Sequence, residues 1–107
     1  MKWHVCLIEA AEKELANLPA DLKAKFVRIA EMLETFGAHE VGLPHVRPLE
    51  GKLWEIRMSG KDGIARAAYV AASGRRLIVV HVFVKKTQRT PRQAIAIALA
   101  RVKELET

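Results

Sequence analysis

Three strand-like runs separated by very short turns place the strongest constraint on how this chain folds. The runs are Leu53–Met58, Ile64–Ala72 and Leu77–Val84, and all three are rich in apolar residues. The turns between them hold Lys-Asp-Gly at residues 61–63 and Ser-Gly at residues 73–74, which are residue types typical of tight turns. Turns this short join neighbouring strands that run in opposite directions. The sequence therefore predicts an antiparallel three-stranded meander.

The residues around the meander predict one further strand and three helices. Trp3–Ile8 is a short β-prone run. Glu9–Leu18 and Leu22–Phe36 repeat apolar residues at helical spacing. A last helix is expected to begin at Thr90, whose hydroxyl suits a helix cap. Residues 38–51 hold two prolines and two glycines and indicate an irregular connection.

The order of these elements, β-α-α-β-β-β-α, indicates an α+β fold. The chain has 107 residues, which is within the usual size of a single domain, so we expect one domain spanning residues 1–107. We expect the N-terminal α-hairpin and the C-terminal helix to pack on one face of the antiparallel sheet. That arrangement has two layers and leaves the other face of the sheet open.

The positive charge of the chain is concentrated in its second half. The net charge is +6. Residues 1–50 hold six Lys and Arg against eight Asp and Glu, whereas residues 51–107 hold twelve against four. An excess of this size in a small domain favours a polyanionic partner, although a soluble surface also uses Lys and Arg. The first half is therefore interpreted as scaffold and the second half as the binding face.

Strand alternation predicts which side chains lie on the open face. Successive residues of a strand point to opposite faces, so the β-branched set at 78, 80, 82 and 84 is expected against the helices. The open face then carries Leu77, Val79, His81, Phe83 and Lys85 from the last strand. The same rule adds Glu55, Arg57 and Arg66 from the two strands before it.

This set of residues has the chemistry of an RNA site. Arginine binds phosphate through two donors at once, an aromatic ring such as Phe83 can stack on a base, and His81 can transfer protons near neutral pH. Structural roles are the alternatives: Arg57 can pair with Glu55, Phe83 can pack under the last helix, and His81 can be a hydrogen-bonded core residue.

The composition excludes several classes of protein. Cys6 is the only cysteine, which excludes an internal disulfide framework and a CxxC motif. No apolar run approaches the roughly 18 residues of a membrane span, and the N-terminus lacks a signal-peptide core, so we expect a cytoplasmic protein with no membrane contact. His39 and His45 have no regular ligand spacing and no glycine-rich phosphate loop is present, so we expect neither a metal nor a cofactor.

Three segments resemble the RelE/HigB-type toxins of the RelE/ParE superfamily, in its phage-derived branch. They are residues 49–57 (LEGKLWEIR), residues 63–69 (GIARAAY) and residues 81–91 (HVFVKKTQRTP). The last of these is the most specific. The small residues Ala65, Ala67 and Ala68 around Arg66 depart from the larger residues that commonly stand there in the family.

The resemblance implies the toxin of a type II toxin–antitoxin pair with a RelE-like fold. Such toxins enter the ribosomal A site, cut mRNA without a metal, and are held inactive by a small antitoxin, often a helix-turn-helix DNA-binding protein. The catalytic residues carried over are Arg57, Arg66, Lys85, Lys86 and His81. RNA binding is expected from Lys52, Phe83 and Arg89.

These residues suit several catalytic roles. Arg66 and Arg57 are assigned to the phosphate, Lys85 or Lys86 to the base or to electrostatic stabilisation, and His81 to the acid. Two other functions compete with mRNA cleavage. One is a ParE-like poison of DNA gyrase, and the other is a noncatalytic module that binds nucleic acid or a protein partner through the same basic face.

Overall fold

The computed structural model describes residues 2–61, 63–86 and 89–106. Within them the elements are β1 (His4–Leu7), α1 (Glu9–Ala16), α2 (Ala20–Phe36), β2 (Val46–Glu50), β3 (Leu53–Ser59), β4 (Ile64–Ala72), β5 (Arg76–Lys85) and α3 (Arg92–Leu105). The α+β class and the predicted order are confirmed. One strand is added, since β2 forms within residues 38–51, which were expected to be irregular. Asp62, expected in a turn, and Thr87 and Gln88 of the 81–91 segment lie outside the described residues.

The strands form one sheet in the order β1-β5-β4-β3-β2. Neighbours from β2 to β5 are antiparallel, which confirms the meander. The α-hairpin connects β1 at one edge of the sheet to β2 at the other edge, and β1 pairs parallel with β5. The sheet is therefore mixed.

The second helix ends at Gly37, whose backbone conformation favours a residue without a side chain. Gly37 adopts a φ of +85°, a conformation that glycine takes without steric cost. Its N–H donates to the Leu33 carbonyl at 2.9 Å, and a Cβ at this position would lie 3.1 Å from the indole nitrogen of Trp3. The glycine thus ends the helix and lets Trp3 lie against its last turn.

The helices cover both faces of the sheet, so the expectation of one bare face is corrected. The first two helices pack with Ile56, Ala67 and Tyr69 in a large core. The third helix packs its Ile95 and Ala98 against a second cluster that includes Leu53, Ala68, Val70 and Val80. Since Ala67 and Ala68 point to opposite faces of β4, α3 lies across the sheet from α1 and α2. It leaves one end of its own face open.

A β-bulge between β4 and β5 changes which residues of β5 share a face. His81 pairs with Ala68, but the next residue of β4, Tyr69, pairs with Val79, so Val80 is the extra residue. Such an extra residue reverses the alternation beyond it. The prediction that residues 78, 80, 82 and 84 share the helix-facing side is therefore wrong. Leu77 and Val79 join Val82 in the α1–α2 core, whereas Ile78 and Val80 lie on the α3 side.

Carboxylates from the two N-terminal helices cover open strand edges. Glu34 of α2 accepts the Val5 N–H at 2.9 Å, and Glu14 of α1 accepts the Val82 N–H at 2.9 Å. These contacts satisfy backbone donors that would otherwise be free to pair with another chain. In the part of the chain that the structure describes, no helix has the length and apolar character needed to cross a membrane.

Candidate functional site

A row of side chains crosses three strands at the end of the sheet that α3 leaves open. Arg57 of β3 pairs with Arg66 of β4, and Arg66 pairs with Phe83 of β5. Directly paired residues of adjacent strands lie on the same face. The row therefore places two guanidinium groups and an aromatic ring side by side, as the alternation of β3 and β4 predicted.

A second row runs beside the first, nearer to α3. Arg47 of β2 pairs with Glu55 of β3, Glu55 pairs with Ala68, and Ala68 pairs with His81. The row joins a cation and a carboxylate to the histidine. Arg47 was not predicted, because the prolines around it indicated an irregular segment rather than a strand with alternating side chains.

The carboxylate of Glu55 lies at the centre of the two rows. It is 1% exposed, and its Oε1 accepts a hydrogen bond from the Thr90 hydroxyl at 2.9 Å. Its Oε2 lies 3.6 Å from Arg66 Nε and 3.9 Å from Arg57 Nη1. The predicted cap at Thr90 is thereby corrected: α3 has no side-chain cap bond at its start, and the hydroxyl binds Glu55 instead.

The guanidinium group of Arg66 is buried in the floor of the site. Its exposed fraction is 1%, its Nη1 donates to the Ala65 carbonyl at 2.9 Å, and its Nε has no hydrogen-bond partner among the described residues. Burial lowers the pKa of Arg66, while the charge of Glu55 opposes that change. An arginine stays protonated in proteins, so the site holds a fixed positive charge beneath its surface.

The amine of Lys85 belongs to the same cluster. Lys85 is the last residue of β5 and is 4% exposed. Burial lowers its pKa, the charges of Arg66, Arg57 and Arg47 lower it further, and Glu55 raises it. Four cations thus surround one carboxylate. The neutral form of Lys85 is therefore more populated than that of an exposed lysine. The excess of positive charge also attracts an anion.

His81 lies where β5 extends beyond its pairing with β1, and groups from two helices hold it there. Its Nδ1 lies 3.1 Å from both carboxylate oxygens of Glu14 and 3.2 Å from Nη1 of Arg101 in α3. That Nη1 also donates to Glu14 at 2.9 Å and to the Val80 carbonyl at 2.9 Å. On its other side His81 stacks on Phe83, with the ring centroids 4.8 Å apart. The histidine is therefore linked to the basic cluster through Phe83.

Glu14 is a strongly hydrogen-bonded carboxylate. Burial by itself raises its pKa, but hydrogen bonds from Arg101, the Val82 N–H and His81 outweigh that effect and hold the pKa of Glu14 below its usual value. Neither Glu14 nor Arg101 was assigned to the site from the sequence, since both lie on helices far from the strand in the chain. No local pattern brings them to β5.

A family profile matches most of this sequence. The profile is described as "Phage derived protein Gp49-like (DUF891)" and matches residues 13–103. The chain belongs to this family. The Gp49-like family is a RelE-like toxin family, which confirms the resemblance inferred from the three segments. A comparison with curated proteins found no match.

Solved structures share the fold of the Gp49-like chain. One is a double arginine-to-alanine mutant of the E. coli toxin RelE in the free state, 15% identical with a TM-score of 0.70, covering 95% of this chain and 99% of that one. Another is the archaeal RelE–RelB complex from Pyrococcus horikoshii, 21% identical with a TM-score of 0.56, covering 84% of this chain and 100% of that one. At these identities the likeness concerns the fold.

The structure brings most of the predicted site residues of the Gp49-like chain together and places the others apart. Arg57, Arg66, Phe83 and Lys85 come together, and His81 adjoins them through Phe83. Lys86 and Arg89 follow β5 and are exposed, with Arg89 beside a cavity of about 230 Å³ that Arg47, Glu55 and Thr90 also line.

Lys52 does not join the basic cluster. It lies in the turn before β3, five residues from Arg57, which is about 16 Å along an extended strand. It lines a different cavity, together with Trp54 and Tyr69. Its predicted contact with RNA therefore lacks the geometric support that the cluster offers to the other residues.

Proposed function

We propose that this chain is the toxin of a type II toxin–antitoxin system and acts as a metal-independent endoribonuclease on mRNA in the ribosome. The observation that carries the proposal is the burial of Lys85 beside Arg66, Arg57 and Arg47, with Glu55 as the opposing charge. Membership of the Gp49-like family and the RelE fold support the same assignment.

The first task of the site is to hold the scissile phosphate. Arg57 and Arg47 are partly or fully exposed on the α3 side of the sheet and provide donors to phosphate oxygens. Arg66 lies below them and acts through its charge and through its hold on Glu55. The field of these cations stabilises the extra negative charge of a pentacoordinate phosphorane.

The second task is to move two protons. Lys85, as the neutral amine, takes the proton from the 2′-hydroxyl of the RNA, and the 2′-oxygen bonds to phosphorus. The bond from phosphorus to the 5′-oxygen breaks, and His81 donates a proton to that oxygen. The products are a 2′,3′-cyclic phosphate and a 5′-hydroxyl. Since Nδ1 of His81 faces Glu14 and Arg101, the acid role falls to Nε2.

The substrate base is held by stacking. Phe83 is half-buried, and base stacking on an aromatic side chain contributes about 1–3 kcal/mol. Lys86 and Arg89, which are exposed after β5, extend the positive path toward the next phosphates. The ribosomal A site supplies the mRNA, and a protein antitoxin holds the toxin inactive. A structure of the same fold, the archaeal RelE–RelB complex, contains such a pair.

The experiment induces the chain in growing cells and maps mRNA 5′ ends. We expect cuts phased with codons in translated regions. Lys85→Met keeps the length and apolar stem of the side chain but removes its amine, so it should abolish the cuts. Lys13→Met removes an amine that is 75% exposed on α1 and should leave them unchanged.

The competing functions have their own outcomes. A DNA-damage response without RNA cuts would identify a gyrase poison, and neither effect would identify a noncatalytic binding module. Codon-phased cuts that persist in Lys85→Met cells at wild-type frequency would remove the lysine from the mechanism.

A further inference from the structure

A cavity lined by Trp3 and Trp54 lies away from the basic cluster. Its volume is about 590 Å³, which is in the range of binding pockets. It opens between the end of α2, the turn before β3 and the adjoining ends of β4 and β5. The residues that line it include Trp3, His39, Lys52, Trp54, Tyr69 and Leu77.

The walls of this cavity combine two indole rings with an apolar floor. Trp54 is 37% exposed although its strand has a paired strand on each side. Trp3 lies over Gly37, where a Cβ would come within 3.1 Å of the indole nitrogen. Large aromatic rings exposed in a concave, apolar site are typical of protein interfaces, where such pockets receive an anchoring side chain.

The cation that lines the cavity has no carboxylate beside it in the lining. Lys52 lines the cavity, none of the described residues that line it carries a carboxylate, and the guanidinium group of Arg75 lies over the Trp3 ring at 6.0 Å from its centroid. A positive rim selects an acidic occupant through electrostatic complementarity. A second copy of this chain, with its net charge of +6, is repelled by the same rim.

We propose that this cavity, the Trp3–Trp54 pocket, docks an acidic segment of a protein partner through one aromatic or branched aliphatic side chain. The inference rests on the proposed function only where that partner is taken to be the antitoxin.

The pocket is separate from the RNA site in two respects. Trp54 pairs with Tyr69, three residues along β3 from the Arg57–Arg66 pair, which is about 10 Å. Tyr69 belongs to the α1–α2 core, whereas Arg66 lies on the opposite face of β4. A partner anchored here leaves the RNA site free unless another of its segments reaches across the sheet.

Tryptophan emission reports directly on this pocket. It has two tryptophans, Trp3 and Trp54, and both line the cavity. Occupation by an apolar side chain excludes water from both indoles, so their emission should shift to shorter wavelength. No label is needed.

The test titrates the intact chain with three peptides of equal length and follows this emission. The probe is acetyl-Glu-Glu-Leu-Phe-Glu-Glu-amide; one control replaces each Glu by Lys, and the other replaces Leu and Phe by Ser. We expect saturable binding of the probe alone. Trp54→Ala and Lys52→Glu should each weaken it at least tenfold, while Lys13→Glu, the same charge change on an exposed α1 residue, should have less than a twofold effect.

Several results would overturn the proposal. They are an unchanged emission up to millimolar probe, an equal effect of Lys13→Glu and Lys52→Glu, or displacement of the probe by a short RNA. Equally tight binding of free phenylacetate would assign the pocket to a small molecule, and a dimer of the chain abolished by Trp54→Ala would assign it to a second copy. A chain that binds the probe but cuts no RNA would sustain this inference and refute the proposed function.

Discussion

Replacing Glu14 by glutamine tests whether one carboxylate holds three elements together at the edge of β5. Glu14 accepts hydrogen bonds from the Val82 N–H at 2.9 Å and from Arg101 Nη1 at 2.9 Å, and it lies 3.1 Å from His81 Nδ1. The amide keeps the shape and one acceptor oxygen. It loses the negative charge that pairs with Arg101 and introduces a donor facing a guanidinium group.

The magnitude follows from the burial of the pair. Hydrogen bonds to charged groups contribute about 1.5–3 kcal/mol each, and breaking a buried ion pair costs about 3–5 kcal/mol. The side chains of Glu14 and Arg101 are 26% and 24% exposed, so solvent screens part of this energy. We expect Glu14→Gln to lower the free energy of unfolding by about 2 kcal/mol at pH 7, or the melting temperature by about 10 °C.

Urea unfolding followed by tryptophan emission measures this change. The matched control is Glu9→Gln, five residues earlier in the same helix, because Glu9 is 85% exposed and its ion pair with Lys13, at 3.4 Å, is exposed as well. It should change the free energy of unfolding by less than about 0.5 kcal/mol. The double variant with Arg101→Met should show a coupling of at least about 1 kcal/mol.

The pH dependence gives the sign of the effect independently. The pKa of Glu14 is lowered in the folded chain from a reference value of 4.5. The stabilisation is therefore present above that reference value and is lost as the pH falls through the lower folded pKa. The gap between wild type and Glu14→Gln should close on acidification. A gap below 0.5 kcal/mol at pH 7, or one that is unchanged under acid, would refute the reasoning.

Three further predictions concern other parts of the chain. Tyr69→Phe should leave the free energy of unfolding in urea unchanged or raise it by up to about 1 kcal/mol, because the buried Tyr69 hydroxyl has no hydrogen-bond partner among the described residues. Burial also raises the pKa of this hydroxyl to about 12. A loss above about 1 kcal/mol would reveal a partner. Gly60→Ala should cost about 1–3 kcal/mol because its Cβ would collide with Asp21 and Leu22, and Gly42→Ala, where a Cβ meets open space, is the neutral control. The logarithm of RNA affinity should fall against the logarithm of salt concentration with a slope of about −3, if four cations meet phosphates at about 0.7 each. Arg57→Ala should reduce the size of that slope by about 0.7. An affinity that does not change with salt would argue against a phosphate-binding face.

Local patterns in the sequence were sufficient for the elements and for part of the site. The helices at Ala20–Phe36 and Arg92–Leu105 and the meander follow from apolar periodicity and turn residues, which act over a few residues. Arg57 and Arg66 were placed together correctly because short turns leave little freedom in how β3 and β4 pair. Arg47 was not predicted because Pro44 and Pro48 indicated an irregular segment. The segment forms the edge strand β2, where proline is tolerated.

The sequence by itself determined the α+β class, the RelE-like family and the concentration of positive charge in the second half of the chain. Only the tertiary structure decided how β5 is oriented, because the extra residue Val80 reverses its alternation and is set by pairing with β4 rather than by any local preference. The tertiary structure also decided that α3 packs on the opposite face and that Glu14 and Arg101 meet His81. Glu14 is 67 positions from His81 and 87 positions from Arg101 in the chain, so packing of the whole chain, and not local propensity, determines that these groups meet.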